Sequence, residues 1–195
     1  MVAVNLTNTT MQATPAAKIA DLTLSRLVEL IRAPVDHSEL LWIVIPLAAT
    51  LVLMELYFGR YKEEELGWNT AVGNSMILIF VAMDLFRHLW EHTIDPNILN
   101  ILLTHTTKTI LILFLALGSL WLLIADFFHF LPKSIAFMLS SSIPIKVIAY
   151  VTIVLVYTNI PFDWGTLAAS VALFAILFVI FKLIQFFIPI SIRER

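Results

Sequence analysis

The sequence predicts an all-α, polytopic transmembrane helical bundle, and three observations carry that prediction. Of 195 residues, 60% are hydrophobic and only 13% are charged, where a soluble domain is about half apolar and a quarter charged. A chain this short has too little interior to hide the excess. Five apolar runs also reach the length of about 20 helical residues that crosses the ~30 Å hydrocarbon layer of a bilayer. Charge adds little: 12 Lys and Arg against 14 Asp and Glu leave −2, so no net field recruits nucleic acid. With Cys at 0, disulfides, thiolate metal sites and cysteine nucleophiles are excluded.

Residues 1–17 are polar and rich in Thr and Asn, and read as a disordered tail. They lack the basic start, apolar run and cleavage site of a secretory signal. Asn5 and Asn8 head glycosylation sequons that matter only if this end lies outside. Residues 18–34 follow as an amphipathic helix. Ile19, Leu22, Leu24, Leu27, Leu30 and Ile31 alternate at helical spacing with Lys18, Asp21, Arg26, Glu29 and Arg32. Too charged to span, this helix is expected in the interface or against a neighbouring subunit, with Pro34 ending it.

The five spans are expected at about 39–58, 69–90, 109–131, 133–157 and 164–188, with a charged cytoplasmic tail over 191–195. Joined to the third span, residues 98–107 would make one helix more than ~50 Å long, so they read as a separate interfacial turn. The fourth span is interrupted by Ser140-Ser141-Ser142-Ile143-Pro144. Proline removes a helix hydrogen bond, so this span is either kinked or a re-entrant piece followed by a crossing helix. Trp42, Trp68, Trp90 and Trp164 fall near span ends, where interfacial aromatics belong. Arg60, Lys62, Lys133, Arg193 and Arg195 collect on one side, while the connections 93–97 and 158–163 carry no Lys or Arg. That asymmetry places the amino terminus outside and the carboxyl terminus in the cytoplasm of a cell-membrane protein, although Lys18, Arg26, Arg32 and Lys108 weigh against it.

Three constellations carry candidate chemistry. At the end of span two, Asp84, His88 and Glu91 share a helical face, flanked by Arg87 and His92. This group is a salt-bridge cluster, a cation-attracting vestibule, or a metal site with Asp84, His88 and His92 as ligands. Near the end of span three, Asp126 and His129 are one turn apart, and either hold the helix end together or join a proton or cation path. The third set is spread over several spans at similar depth: Glu55; Asn69, Asn74 and Ser75; Ser140, Ser141 and Ser142; Lys182 and Gln185. These groups either glue helices together or line a water-filled path beside the break at Pro144. Lys146, inside span four, needs a carboxylate such as Glu55 or Asp84, or a pore to line. In span five, Gly165, Ala168, Ala169, Ala172 and Ala175 form a small-residue stripe suited to close helix packing.

No nucleotide-binding glycine motif, nucleophile elbow or zinc-protease His-Glu pair is present. The chain is therefore expected not to be an enzyme and to need no cofactor. The leading expectation is a homo-oligomeric ion channel or transporter in the lipid bilayer, with a pore between subunits lined by span five or broken span four. Its partners would be lipid, ions and further copies of the chain, with no nucleic acid. The alternative is an accessory or assembly subunit of a larger membrane complex. A membrane-embedded metal-dependent enzyme using the His and carboxylate cluster ranks third.

Overall fold

A computed structural model describes residues 15–61 and 66–189. The sequons, most of the polar tail, Lys62, Arg193 and Arg195 lie outside the described residues. The described chain is helical: α1 (Pro15–Asp36), a short 3-10 turn (Ser38–Leu40), α2 (Leu41–Arg60), α3 (Trp68–Glu91), α4 (Ile98–Thr104), α5 (Thr106–Phe127), α6 (Lys133–Leu139), α7 (Ser142–Tyr157) and α8 (Trp164–Phe187). Five stretches are long and apolar enough to cross a membrane: Ser38–Arg60, Trp68–Glu91, Thr106–Phe127, Lys133–Tyr157 and Trp164–Phe187.

The helix that the serine run interrupts lies at the centre. α7 packs against α1, α2, α3, α5 and α8. In Lys133–Tyr157 the most apolar stretch is 67% buried, against 17% in Trp164–Phe187. Ile145, Ala149, Ile153, Val154 and Val156 of α7 are fully or almost fully buried. Around it stand the faces of α3 and α5, through Leu78, Val81, Leu85, Ile112 and Leu115. Most of α7 is therefore enclosed by its own chain, while Ile135 and Met138 of α6 and Ile148 of α7 stay exposed; the sequence expectation had span four as one candidate lining of a pore between subunits.

Helix ends explain where the spans depart from their expected bounds. α1 begins at Pro15, a residue whose fixed φ suits the first helical position, so the last three residues of the expected disordered tail are helical. Pro34 does not end it; the helix continues to Asp36. The carbonyl of Leu30, which Pro34 has no N–H to reach, accepts instead from the Tyr150 hydroxyl at 2.6 Å. The third span stops at Phe127 rather than 131. His129 adopts φ +57 and the Phe130 N–H reaches the Ala125 carbonyl at 2.9 Å, the hydrogen bond of a left-handed helix stop. α4 and α5 separate at His105. α6 and α7 separate over Ser140–Ser141, and Pro144 then falls in the first turn of α7, where a missing N–H costs nothing within the helix.

α1 has three faces. One docks on α7 and α8, burying Leu30 and Ala33, and Gly165 lets it close in: a Cβ there would lie 2.5 Å from Leu22 Cγ. Leu24, Val28, Ile31 and Val35 form an exposed apolar stripe at three- and four-residue steps. Lys18, Asp21, Ser25, Arg32 and Asp36 occupy the remaining, polar arc. Such a helix suits a membrane surface, and its buried face is held by α7 and α8 of its own chain.

Candidate functional site

Polar side chains from all five spans meet in one layer inside the bundle. Asp126, at the end of α5, is 0% exposed. Its Oδ2 accepts from the Ser140 hydroxyl at 2.6 Å and from the Ser75 hydroxyl, on α3, at 2.9 Å. Asn74, beside Ser75, donates its Nδ2 to the Ser140 carbonyl at 2.7 Å. That carbonyl lies at the C-cap of α6, before the first turn of α7, so a side chain of α3 satisfies a backbone group that the break leaves without a helical donor. The Lys146 ammonium donates to Ser142 Oγ at 2.8 Å and, more weakly, to Asn74 Oδ1 at 3.4 Å. Glu55 of α2 is 9% exposed. Gln185 of α8 donates to Glu55 Oε2 at 2.8 Å and to the Glu55 carbonyl at 3.1 Å, and Lys182 donates to Gln185 Oε1 at 3.4 Å.

Acidic and basic side chains therefore alternate from Asp126 through Lys146 and Glu55 to Lys182, which is exposed at the edge of the layer. None of the four ion pairs among the described residues belongs to it. Its charges are held by hydroxyls and amides. An ionisable group at membrane depth costs ~2.5–3.5 kcal/mol on insertion scales, and a hydrogen bond between membrane helices returns ~0.6–2 kcal/mol.

Several expected partners meet and others do not. Asn74, Ser75, Ser140, Ser142, Lys146, Glu55, Lys182 and Gln185 converge as their common depth predicts. Asn69 is exposed, and Ser141 turns its hydroxyl back to the Met138 carbonyl; neither enters the layer. Asp126 belongs to it and does not pair with His129, whose left-handed backbone swings its ring onto Trp68, with centroids 4.0 Å apart. Lys146 forms no ion pair with Asp84. On α8, Gly165 and Ala169 are buried and Ala168 and Ala172 half-buried, but Ala175 is exposed, so the stripe packs within the chain only at its first turns.

At the opposite end of α3, Arg87 bridges Asp84 at 2.7 Å and Glu91 at 3.1 Å. Tyr157 of α7 donates to the second oxygen of Asp84 at 3.1 Å. The His88 ring stacks on Tyr157, with centroids 3.8 Å apart. Ring nitrogen Nδ1 of His92 lies 2.8 Å from the His88 carbonyl. Among the described residues no three His, Asp or Glu side chains converge on a point that a metal could occupy. Asp84, His88 and His92 therefore do not form the expected ligand set: Arg87 and Tyr157 hold Asp84, and the two rings lie against each other. These groups instead rim a cleft of ≈ 620 Å³ between α2 and α3, with Glu39, Asp84, Arg87, Glu91 and His92 at its polar end and Thr50 as the lining residue furthest along α2.

Where α1 meets α8, Arg26 reaches Asp163 at 2.9 Å and Glu29 at 2.8 Å. Asp163 also caps α8 by accepting from the Thr166 N–H at 2.8 Å. That backbone hydrogen bond, followed by the Arg26 contact, holds its carboxyl below the usual carboxylate range. Hydrogen bonding to Glu29 first, and then to Asp163, raises Arg26 further.

Sequence reasoning passed over Tyr150, Tyr157 and the Arg26–Asp163 pair. Both tyrosines sit in an apolar span, one side of a helix and seven residues apart, and a buried phenol needs a partner; that was the available signal.

Fold and site together define a polytopic, all-helical membrane protein with a charged cleft at one end and a buried polar layer nearer the other. No protein-family model matches the sequence, and comparison with curated proteins and with solved structures finds no similar chain.

Proposed function

We propose that the chain is a transport protein rather than an enzyme, an ion transporter or channel whose path joins the charged cleft to the buried layer. The carrying observation is the layer itself. Asp126, Lys146 and Glu55 are each at most 9% exposed, and hydroxyls alone would lock these helices without the cost of burying charge.

The spacing of the two polar regions supports the reading. Carboxylates at the rim of the cleft concentrate cations. The cleft reaches Thr50, and Glu55 lies five residues, or about 7.5 Å, further along α2. Near the level between them, Leu51, Ile143, Val147 and Phe181 pack as an apolar cluster, which acts as the closed barrier of such a path. The side bearing Arg60 and Lys133 is cytoplasmic by the positive-inside rule. Copies of the chain would meet along exposed Val171, Ala175 and Val179 of α8.

Purified protein in liposomes, under imposed Na⁺, K⁺ or proton gradients, tests the proposal. Flux is expected from the native chain and at least a tenfold loss in Asp126→Asn and Lys146→Met, with both variants still folded. Absence of flux under any gradient, voltage or tension would remove the proposal.

The accessory-subunit reading draws on one observation, the mostly uncovered apolar surface of α8, whose most apolar stretch is only 17% buried. It expects a different membrane protein to copurify at fixed stoichiometry and no flux from the chain alone.

A further inference from the structure

We infer that Asp126, Ser75 and Ser140 form a binding site for a small monovalent cation, Na⁺, where α3 and α5 meet the break between α6 and α7. The assignment deepens the transport reading and takes its purpose from it, while binding is measured without flux.

The carboxylate is half satisfied. Oδ2 accepts two hydroxyls, whereas Oδ1 is buried with no hydrogen-bond partner among the described residues. A buried charged oxygen without a partner is among the costliest arrangements in a folded chain. The ammonium in the same layer does not relieve it, because Lys146 is directed at Ser142 and Asn74. A bound cation does.

The surrounding atoms select the kind of ion. Both Asp126 oxygens and the two hydroxyl oxygens are hard ligands, with no imidazole or sulfur among them, which suits an alkali or alkaline-earth ion rather than a transition metal. One carboxylate balances one positive charge; a divalent ion would leave an excess beside the Lys146 ammonium. Asp126 is 0% exposed, so an ion at Oδ1 has to fit among closely packed side chains, which favours Na⁺ over the larger K⁺. Ser75 can turn to serve it: its hydroxyl already lies 3.1 Å from the Ala71 carbonyl, so the proton can move there and leave a lone pair for the ion. This gives the serine run beside Pro144 a use beyond joining helices.

Thermal unfolding in detergent at constant pH and ionic strength, with NaCl exchanged for KCl or choline chloride, tests the site alongside equilibrium binding of ²²Na⁺. The native chain is expected to bind one ²²Na⁺ saturably. At a hundredfold excess over Kd its Tm should rise by about 5–10 °C in NaCl alone. Asp126→Asn keeps the side chain's shape and should unfold at a temperature indifferent to Na⁺; Ser75→Ala should weaken binding about tenfold. If Asp126→Asn does not fold, Ser75→Ala and Ser140→Ala carry the test. Absence of saturable ²²Na⁺ binding, a response that KCl reproduces, or one that persists in Asp126→Asn overturns the assignment. So does a native chain indifferent to Na⁺ and matched in stability by Asp126→Asn, the behaviour of a carboxyl that simply holds a proton. Na⁺ binding without flux would leave the site standing and remove the transport reading.

Discussion

Removing one hydroxyl should reveal how α1 is held to the bundle. Pro34 leaves the Leu30 carbonyl without its helical donor, and Tyr150 supplies the replacement at 2.6 Å. Leu30 is 0% exposed, so water cannot take over when the phenol is lost. In Tyr150→Phe the orphaned carbonyl should cost about 1–3 kcal/mol, which for a chain of this size lowers Tm by about 2–4 °C per kcal/mol. Pro34→Ala restores a backbone N–H four residues beyond Leu30, and the helix can then satisfy the carbonyl itself. In that background Tyr150→Phe should cost less than ~0.5 kcal/mol, giving a coupling of about 1–2 kcal/mol between two residues far apart in sequence. Thermal unfolding of the four proteins in the same detergent measures it. Equal cost of Tyr150→Phe with proline and with alanine at position 34 would refute the reasoning, because the hydroxyl would then be acting on something other than the missing donor.

Two further outcomes concern the same seam. Gly165→Ala should already loosen it, since its Cβ would lie 2.5 Å from the branching Cγ of Leu22 and 3.1 Å from Asp163 Oδ1, and Gly165→Leu should overpack the contact by about 1–3 kcal/mol and expose α1 to limited proteolysis; protection unchanged by the larger residue would show that the two helices do not touch there. The Asp163 carboxyl is depressed below its ordinary value, so the stability that it contributes is present above the unfolded value near 3.9 and lost as pH falls through the lower, folded one. Protection of α1 should accordingly stay level from about pH 8 to pH 5 and fail only below about pH 4; release near pH 6 would assign the seam to another group.

The buried layer was legible in part, and the legible part has a common cause. Asn74, Ser142, Lys146 and Glu55 could be grouped from sequence because distance along a span translates into depth in the membrane at 1.5 Å per residue. Depth does not say which way a side chain points. Helical spacing puts Asp126 and His129 one turn apart, as a pair holding the helix end or as members of a proton or cation path, but His129 leaves the helix in a left-handed conformation and stacks on Trp68, so the two do not pair. At the other end of α3, Asp84, His88 and His92 had the spacing of metal ligands, yet Arg87 and Tyr157 claim Asp84. Spacing within one helix limits which groups can meet. The neighbouring helix decides which do.

The same division runs through the whole molecule. Hydropathy along the chain was enough to set the number of spans and their approximate ends, because the bilayer demands a fixed length of apolar helix wherever a chain crosses it. The serine run and Pro144 likewise announced a break from composition alone. Tertiary structure alone decided that the broken span becomes the central helix, that Asn74 satisfies the carbonyl left at the break and Tyr150 the one left by Pro34, and that Asp126 faces inward with one oxygen unmet. Those outcomes depend on which faces of different helices come together. Lipid imposes no such choice on a single helix, and packing imposes it on all of them at once.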